Sequence, residues 1–204
     1  MTQPGFRKSR ASTPRSRGPE DDGGGFIGSA LFSQAQILHL MKSEFAKARR
    51  YQIPIACVLL QVDRLAQLVD LHGADLRRVA RQTLMDVVKE RTRTSDLMGA
   101  MGDDRYLLVL PHTELNSARL VADRIRARFQ DAEITVDGKP LGLTLSLGVA
   151  SAEDQKTMFF DSLVAQAEFA IQHAARGSGN RTVSYAEAQL LEGGPGDAEP
   201  KRGS

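Results

Sequence analysis

Two polar stretches in the middle of the chain combine arginine and aspartate side chains, which can pair with polar or charged groups. The first is R-T-S-D at 93–96, and the second is G-D-D-R at 102–105. An arginine offers a planar fork of N–H donors that pairs with phosphate oxygens or with two adjacent acceptors. An ionised aspartate is an acceptor only, so it complements N–H donors. The first stretch is equally compatible with an ion pair at the end of a helix, so the pattern alone leaves both interpretations open.

The second stretch lies at the tip of a predicted hairpin. Leu97, Gly99 and Met101 precede it, and an apolar run over 106–110, closed by Pro111, follows it. Two apolar runs on either side of a Gly-Asp pair are typical of a β-hairpin. The acidic residues are therefore expected in the turn between two strands.

The composition indicates one cytoplasmic globular domain. A chain of 204 residues with 41% hydrophobic residues can bury one full core. The single cysteine, Cys57, lies in an apolar run, which excludes a disulfide framework and favours a reducing compartment. No apolar stretch approaches the roughly 20 residues of a membrane span. The N-terminus lacks the apolar core of a secretion signal, so we expect a cytoplasmic location and no membrane partner.

The charge distribution separates the N-terminus from the rest of the chain. The net charge is +2, and residues 1–25 account for it with five basic and three acidic side chains. The remainder is neutral, so a nucleic-acid partner is not expected. Residues 1–25 contain too few apolar residues to fold, which predicts a disordered tail. A second disordered tail is predicted at 187–204, which leaves 26–186 as the domain.

Between the tails, the apolar pattern predicts a mixed order of helices and strands. Residues 55–62 form a continuous apolar run, which is typical of a central strand. Helices are predicted where apolar residues recur every three to four positions, at 33–50, 64–71, 75–91, 117–129 and 160–175. For the fourth of these, the apolar stripe comprises Leu120, Val121, Ile125 and Phe129. The other predicted strands are a second hairpin of 133–136 and 141–150, and an edge strand at 182–185.

With its elements in this order, the sequence resembles the GGDEF domain, the fold of diguanylate cyclases. The resemblance covers roughly 26–186 and rests on FAKARRYQIPIACVLLQVD, SDLMGAMGDDRYLLVLP, VADRIRARF, LTLSLGVA and Gly179-Asn180-Arg181. The five signature residues of the family fall on G-D-D-R-Y at 102–106. The resemblance implies an α/β (α+β) fold related to the nucleotidyl cyclase palm. Its central, mainly antiparallel five-stranded sheet is flanked by helices, and a small hairpin is added.

The resemblance also implies a catalytic site that has lost essential parts. Family members that cyclise two GTP molecules use paired Mg²⁺ ions held by carboxylates. The first carboxylate position, at the end of the first strand, is Gln61 in this chain. Asp63, two residues on, would be displaced by roughly 6–7 Å. The second carboxylate is kept as Asp104 and the first signature glycine as Gly102, and we expect Gly102, Asp63 and Asp104 to be vestiges of the site.

Five further positions depart from the pattern of active members. The second signature glycine is Asp103, which adds a Cβ and a negative charge where phosphate must approach, and the fourth acid is Arg105. The residues that read guanine in active members correspond to Val69 and Arg78, and a phosphate-neutralising lysine corresponds to Ala175. We therefore predict that the chain is not an enzyme and has no catalytic residues, metal or cofactor.

The R-T-S-D stretch keeps a different feature of the family. In the family, an R-x-x-D sequence just upstream of the signature forms an allosteric site for the product, cyclic di-GMP. In some relatives an arginine from the following helix contributes, so Arg93, Asp96 and Arg124 are the implied ligand-binding residues. An arginine fork matches guanine O6 and N7 or a phosphate, and an aspartate accepts from N1–H and the amine. Residues 128–131, R-F-Q-D, fit the same string but lie out of place.

We interpret the chain as a catalytically inactive GGDEF domain that acts as a cyclic di-GMP receptor. It would relay the signal through contact with an unidentified partner protein. The ligand would bind as one molecule or as an intercalated dimer, and a ligand-linked homodimer is compatible with the resemblance. Two alternatives stay open, an active diguanylate cyclase using Asp104 and Asp63, and a ligand-free scaffold that mediates assembly through its shape.

Overall fold

The computed structural model describes residues 31–102, 104–136, 138–153 and 159–192. The predicted N-terminal tail, the first residues of the predicted domain up to 30, and residues 193–204 lie outside these ranges. The disorder predicted for the two tails therefore stays a prediction.

Within these ranges the chain forms six helices and seven strands. The helices are α1 (Gln34–Tyr51), α2 (Leu65–His72), α3 (Asp75–Arg91), α4 (Leu115–Gln130), α5 (Phe160–Ala174) and α6 (Tyr185–Glu192). The strands are β1 (Ile55–Val62), β2 (Leu97–Ala100), β3 (Arg105–Pro111), β4 (Ile134–Val136), β5 (Lys139–Leu141), β6 (Leu145–Ala152) and β7 (Thr182–Ser184).

Strand β1 lies at the centre of a five-stranded sheet with the order β2-β3-β1-β6-β7. Both neighbours of β1 are antiparallel to it, with Ile55 opposite Pro111 of β3 and Ala152 of β6. Strand β7 is the exception, because it pairs with β6 in parallel. Strands β4 and β5 form a separate two-stranded sheet.

The side chains of β1 alternate between two helical layers, so both faces of the sheet are covered. The even-numbered residues of 56–62 belong to a core shared with α2, α3 and α4. The odd-numbered residues of 55–59 belong to a core shared with α1 and α5. In this second core, burial raises the pKa of the Cys57 thiol to about 12, and the thiol donates to the Leu163 carbonyl at 3.7 Å.

The predicted fold class is confirmed. A central, mainly antiparallel five-stranded sheet is flanked by helices, and a small hairpin is added. The central strand predicted at 55–62 is found with those limits. In the part of the chain that the structure describes, no helix has the length and apolar character needed to cross a membrane.

The predicted pairing of 133–136 with 141–150 is wrong. Strand β4 pairs instead with β5, with Ile134 opposite Leu141, and β6 is a strand of the main sheet between β1 and β7. Residues 142–144 separate β5 from β6. In this link the Thr144 carbonyl accepts a hydrogen bond from the Asp63 N–H at 2.9 Å. This irregular link lets the chain pass from the small hairpin to the centre of the main sheet.

The apolar face predicted for the helix at 117–129 is partly wrong. Leu120 is 57% exposed, whereas Ala118, Ala122, Ile125 and Phe129 are buried. These four residues recur at spacings of three and four, as a helix buried on one side requires. The stripe therefore includes two alanines, which contribute little to a hydrophobicity pattern dominated by leucine.

Helix α6 extends to Glu192, beyond residue 186, where the sequence analysis ended the domain. Ser184 and Glu187 form a capping box at its start, in which the Ser184 N–H donates to the Glu187 carboxylate at 2.9 Å. Burial acts to raise the pKa of Glu187, but hydrogen bonds from Ser184 and Arg119 outweigh it and hold the pKa below its usual value. Ala188 of α6 packs against α5, so the folded region reaches residue 192.

Gly148 permits the closest approach between the sheet and α5. A Cβ at this position would lie 2.3 Å from the Ile171 nitrogen and 2.4 Å from the Ala167 oxygen. Both are backbone atoms of a helix, so they cannot move aside as a flexible side chain would. The close packing of α5 on β6 therefore requires glycine here.

We predict that Gly148→Ala lowers the free energy of unfolding by about 3 kcal/mol, because the added methyl overlaps helix backbone in a close-packed core. Gly142→Ala is the matched control, because Gly142 is exposed and its added Cβ would meet nothing within 4 Å. Urea denaturation of both variants measures the difference. Equal midpoints for the two variants would contradict the packing described here.

Candidate functional site

The signature turn connects β2 to β3 at the edge of the sheet. The Met101 N–H donates to the Arg105 carbonyl at 2.8 Å, and the Arg105 N–H donates to the Gly102 carbonyl at 2.9 Å. Gly102 and Asp104 have φ angles of 78° and 58°, in the left-handed region. A Cβ on Gly102 would meet nothing within 4 Å, so backbone conformation and not packing favours glycine at this position. Asp103 lies outside the described residues.

The carboxylate of Asp104 is paired with an arginine of α3. The Arg77 Nε lies 2.9 Å from Asp104 Oδ1 and donates to Oδ2 at 3.0 Å. The Asp104 side chain is 18% exposed and that of Arg77 is 49% exposed. A metal ion at Asp104 would have to compete with this guanidinium for the same two oxygens.

Gln61 lies near the end of β1, opposite Arg105 of β3 on one side and Ser146 of β6 on the other. A neutral amide at this point provides no charge to hold a divalent cation. Gln61 of β1 and Arg105 of β3 therefore occupy paired backbone positions in a region where a Mg²⁺ site needs carboxylates.

Asp63 is engaged in three hydrogen bonds that hold the end of β1. Its Oδ1 accepts from the Ser146 hydroxyl at 2.7 Å. Its Oδ2 accepts from the Thr144 hydroxyl at 2.7 Å and from the Asn180 N–H at 2.9 Å. These contacts join β1, the start of β6 and the loop after α5. With Gln61 neutral and the two described acids, Asp63 and Asp104, both engaged, the described residues of this region do not fit a pair of Mg²⁺ ions.

The residues that correspond to guanine-reading positions have other surroundings. Arg78 is exposed and lies 3.6 Å from Asp75 on the same helix, and Val69 packs against the core. Ala175 is the C-cap residue of α5. Val69 and Arg78 therefore supply neither the amide nor the carboxylate that would read a guanine edge, and Ala175 supplies no charge for a phosphate.

The R-T-S-D stretch forms a hydrogen-bonded turn between α3 and β2. The Arg93 N–H donates to Asp96 Oδ2 at 2.7 Å, and the Asp96 N–H donates to the Arg93 carbonyl at 3.1 Å. The Ser95 hydroxyl lies 3.5 Å from Asp96 Oδ1. The carboxylate therefore caps the turn through backbone, which differs from the ion pair that the sequence left open.

Asp96 is buried, whereas the Arg93 side chain is exposed. The burial of Asp96 was not predicted. The sequence analysis treated both residues as ligand-facing groups, whereas Asp96 is only 4% exposed. Burial raises the pKa of Asp96, and the Arg93 N–H, the Arg93 charge and the Ser95 hydroxyl oppose that rise in part. In the part of the chain that the structure describes, the Arg93 guanidinium has no hydrogen bond or ion pair.

Arg124 lies on the exposed side of α4, next to α3. Arg128, one helical turn further on, pairs with Glu90 of α3 at 3.3 Å, which brings these two helices together. Arg124 itself forms no hydrogen bond or ion pair with any described residue. Thus Arg93 and Asp96 share one turn, and Arg124 lies on the neighbouring helix, one turn before Arg128, which contacts α3.

Sequence reasoning missed the arginines of α3. Arg77 and Arg81 both line a cavity at the signature turn, together with Asp104. Their spacing of four residues places them on one side of the helix and was the available signal. The partner of Arg77 could not be read from the sequence, because Asp104 is 27 positions away.

We predict that two substitutions of the buried Asp96 carboxyl group differ in their effect on stability. Asp96→Ala should lower the free energy of unfolding by about 1–3 kcal/mol, because the Arg93 N–H loses its acceptor. Asp96→Asn keeps an acceptor oxygen and removes a buried charge, so it should be tolerated. A raised pKa in the folded state means that wild-type stability falls, relative to Asp96→Asn, as the pH rises above the ordinary value of 3.8.

Urea denaturation of the wild type and both variants at pH 4 and pH 7 measures this difference. Ser95→Ala is the control, because Ser95 is exposed and the substitution removes only one long hydrogen bond, the 3.5 Å bond from its hydroxyl to Asp96 Oδ1. If the wild type instead gains stability relative to Asp96→Asn between pH 4 and pH 7, burial does not raise the pKa of Asp96 as described.

Comparisons with known proteins agree with this fold. The family described as "Diguanylate cyclase, GGDEF domain" matches residues 29–181. Diguanylate cyclase A of Treponema denticola is 25% identical over 133 residues, which cover 63% of this chain and 34% of that protein. The chain spans about a third of the length of the curated relatives it matches.

Two solved structures show the same architecture. The GGDEF domain of DgcB from Caulobacter crescentus, in complex with c-di-GMP, superimposes with a TM-score of 0.74 at 14% identity, covering 84% of this chain and 99% of that chain. The diguanylate cyclase SiaD from Pseudomonas aeruginosa, in complex with its activator SiaC, gives 0.70 at 25% identity, covering 76% and 58%. Because the family match takes in most of the chain, this protein belongs to the GGDEF domain family and is related to diguanylate cyclases.

Proposed function

We propose that this GGDEF domain is catalytically inactive and is a cyclic di-GMP receptor that binds its ligand at Arg93, Asp96 and Arg124. The observation that carries the proposal is the turn at 93–96. Its buried Asp96 carboxylate fixes the backbone of Arg93, while the Arg93 guanidinium points to solvent with no hydrogen bond to a described residue. A fixed backbone with an uncommitted guanidinium suits a ligand-binding arginine, because less conformational freedom is lost on binding.

Each of the three side chains has a chemical complement on the ligand. The Arg93 fork pairs with guanine O6 and N7 or with a phosphate. Arg124, exposed on the adjacent helix, supplies a second positive charge for a ligand that carries two phosphates. Asp96 Oδ2 accepts from the Arg93 N–H. Oδ1, whose one hydrogen bond from a described residue is the 3.5 Å bond from the Ser95 hydroxyl, is the oxygen proposed to accept from a guanine donor.

The surroundings of the signature turn support the absence of catalysis. A cyclase needs carboxylates free to hold Mg²⁺ beside the triphosphate. Here the strand end supplies Gln61, and Asp63 is engaged by Thr144, Ser146 and Asn180. Asp104, the remaining acid of the turn that the structure describes, is paired with Arg77.

The proposed output is a change in contact with a partner protein. SiaD, which shares this fold over 58% of its chain, was solved in complex with its activator SiaC, so a protein that contains this architecture can engage a protein partner. A ligand-linked homodimer, with cyclic di-GMP bound as one molecule or an intercalated pair, is part of the same proposal. We place this function in the cytoplasm, because a free thiol such as that of Cys57 is typical of a reducing compartment.

One observation favours the second candidate, an active diguanylate cyclase. The curated relatives are diguanylate cyclases, and the acid of the turn is retained as Asp104. In this alternative, Asp104 would exchange its Arg77 partner for a metal ion when the nucleotide binds.

We predict that the purified chain makes no cyclic di-GMP from GTP with Mg²⁺ or Mn²⁺. The physical reason is that both described acids of the region are engaged, Asp63 by the Thr144 and Ser146 hydroxyls and Asp104 by Arg77. Chromatography of the reaction, against a heat-inactivated sample, measures product. If the wild type forms product and Asp104→Ala abolishes this activity, the receptor proposal is wrong and the cyclase alternative takes its place.

We further predict that Arg93→Ala weakens cyclic di-GMP binding tenfold to more than a hundredfold, since one charge-assisted contact is worth about 1.5–3 kcal/mol. Arg124→Ala should weaken binding less. Asp96→Asn should also weaken it while leaving the turn intact, because an amide cannot accept on both of its terminal atoms. Calorimetric titration, with GTP and Mg²⁺ as the comparison ligand, gives each dissociation constant.

Two arginine variants serve as controls for a general charge effect. Arg128→Ala removes a guanidinium that pairs with Glu90, and Arg50→Ala removes one from α1 on the opposite face of the sheet. Both should bind cyclic di-GMP as the wild type does. If the wild type fails to bind at micromolar ligand, or if Arg93→Ala binds normally, the ligand-free scaffold becomes the better reading of the domain.

A further inference from the structure

Helices α5 and α6 border an open cavity of about 590 Å³. This volume lies in the range of sites for small organic groups. The side chains of the cavity that can interact with a ligand are two aromatic rings, two amides and a carboxylate, from Phe169, Tyr185, Gln166, Gln189 and Glu192. Among the described residues that line the cavity, only Glu192 carries a formal charge. The cavity therefore favours a cation over an anion.

The rings of Phe169 and Tyr185 form an aromatic wall of this cavity. Their centroids lie 5.8 Å apart, and their planes are inclined at 74°. Both side chains are half-buried, and both line the cavity. The face of an aromatic ring attracts a cation, and a planar guanidinium can also stack on it.

The Glu192 carboxylate is the charged acceptor of the cavity. It is 51% exposed, and its Oε1 lies 3.7 Å from the Nη2 of Arg176, which is also exposed. This distance is too long for a hydrogen bond, and an ion pair between exposed groups is weak. A guanidinium can thus approach this carboxylate, and a ligand with better geometry can take the place of Arg176.

A buried histidine adds to the negative potential at Glu192. His173 is 2% exposed, and its Nδ1 lies 3.0 Å from the carbonyl oxygen of Phe169. Because a carbonyl can only accept, Nδ1 carries the hydrogen, and in the neutral ring Nε2 is an acceptor. Nε2 has no hydrogen bond to a described residue and lies 3.5 Å from Glu192 Oε1. Two acceptors therefore face each other, and a cation bound to the carboxylate would attract both.

The two glutamines supply neutral acceptors. Gln189 Nε2 donates to the Tyr185 hydroxyl at 3.0 Å, which leaves the amide oxygen of Gln189 to accept from a ligand. Gln166 forms no hydrogen bond with a described residue. Amide oxygens accept from N–H groups, which a guanidinium has and a quaternary ammonium lacks. The cavity therefore suits a planar cation with several N–H donors.

We propose that the cavity between α5 and α6 binds a guanidinium group. The plane of the group lies against the rings of Phe169 and Tyr185, and its N–H groups donate to Glu192 and to the glutamine amides. The same chemistry is offered by a small guanidinium compound and by an arginine side chain of a partner protein. The site uses neither Arg93 nor Arg124, so it does not depend on the proposed cyclic di-GMP site.

The test is an NMR titration of the full ¹⁵N-labelled chain with methylguanidine and with N-acetyl-arginine amide, which has the side chain of an arginine in a protein. We expect saturable shifts of amides in α5 and α6. N-acetyl-citrulline amide is the ligand control, because its urea group has a similar shape without the charge, and it should not bind. Tighter binding of the arginine compound indicates a partner protein as the source, and equal or tighter binding of methylguanidine indicates a small molecule.

Glu192→Gln should raise the dissociation constant about tenfold, because it removes the charge that faces the ligand and keeps the size of the side chain. Tyr185→Leu should also weaken binding, whereas Tyr185→Phe, which keeps the ring, should not. Since Glu192 is exposed, Glu192→Gln is expected to keep the wild-type melting temperature, which is measured for every variant.

Glu168→Gln is the matched control, because Glu168 lies on α5 but does not line the cavity. It should leave the dissociation constants unchanged. Arg176→Ala should bind at least as tightly as the wild type, because it removes the group that competes for Glu192. The proposal is wrong if neither compound gives saturable shifts, if the citrulline compound binds as tightly as the arginine compound, or if Glu192→Gln binds as the wild type does. Weaker binding by Arg176→Ala, or a loss in Glu168→Gln as large as in Glu192→Gln, would also overturn it.

Discussion

The burial of β1 on both faces is the constraint on which the rest of the structure depends. A strand without a solvent-facing side needs helices above and below it, and α3 with α4, and α1 with α5, provide them. Polar chemistry is then possible only where the strand ends. At that end lie Gln61 and Asp63, beside the turn that joins β2 to β3. The position of the site is thus a consequence of core packing, whereas its chemistry depends on the few side chains found there.

The described acids at this end of the sheet are already engaged by other side chains and by backbone. Asp63 ties β1 to β6 and to the loop after α5 through three hydrogen bonds, so its charge is used for stability. Asp104 is held by Arg77, and Arg81 and Arg105 add positive charge around the same cavity. Membership of a family of cyclases fixes the arrangement of strands and helices. The reaction depends on residues that can change without disturbing that arrangement.

Features determined by local pattern were predictable from the sequence, and features determined by tertiary contact were not. The continuous apolar run at 55–62 predicted β1, because such a run can be satisfied only in the middle of a sheet. The face of α4 was misjudged at Leu120, because its buried stripe depends on Ala118 and Ala122. The start of α6 was readable from Ser184 and Glu187 and was missed. The burial of Asp96 had no local signal, since an aspartate in a turn is usually exposed.

The buried Asp96 couples the proposed ligand site to the stability of the hairpin. Its carboxylate accepts from the Arg93 N–H and so closes the turn. Strand β2 begins directly after Asp96 and ends two residues before Gly102. A guanine donor that reaches Oδ1 would leave the bond from the Arg93 N–H to Oδ2 in place. Such a ligand would donate a further hydrogen bond to the buried Asp96 carboxylate, so binding would stabilise the turn and the strand that follows it. A ligand that had to displace the Arg93 N–H would have the opposite effect, because it would open the turn. If cyclic di-GMP donates to Oδ1 as proposed, its binding should therefore stabilise the β2–β3 hairpin.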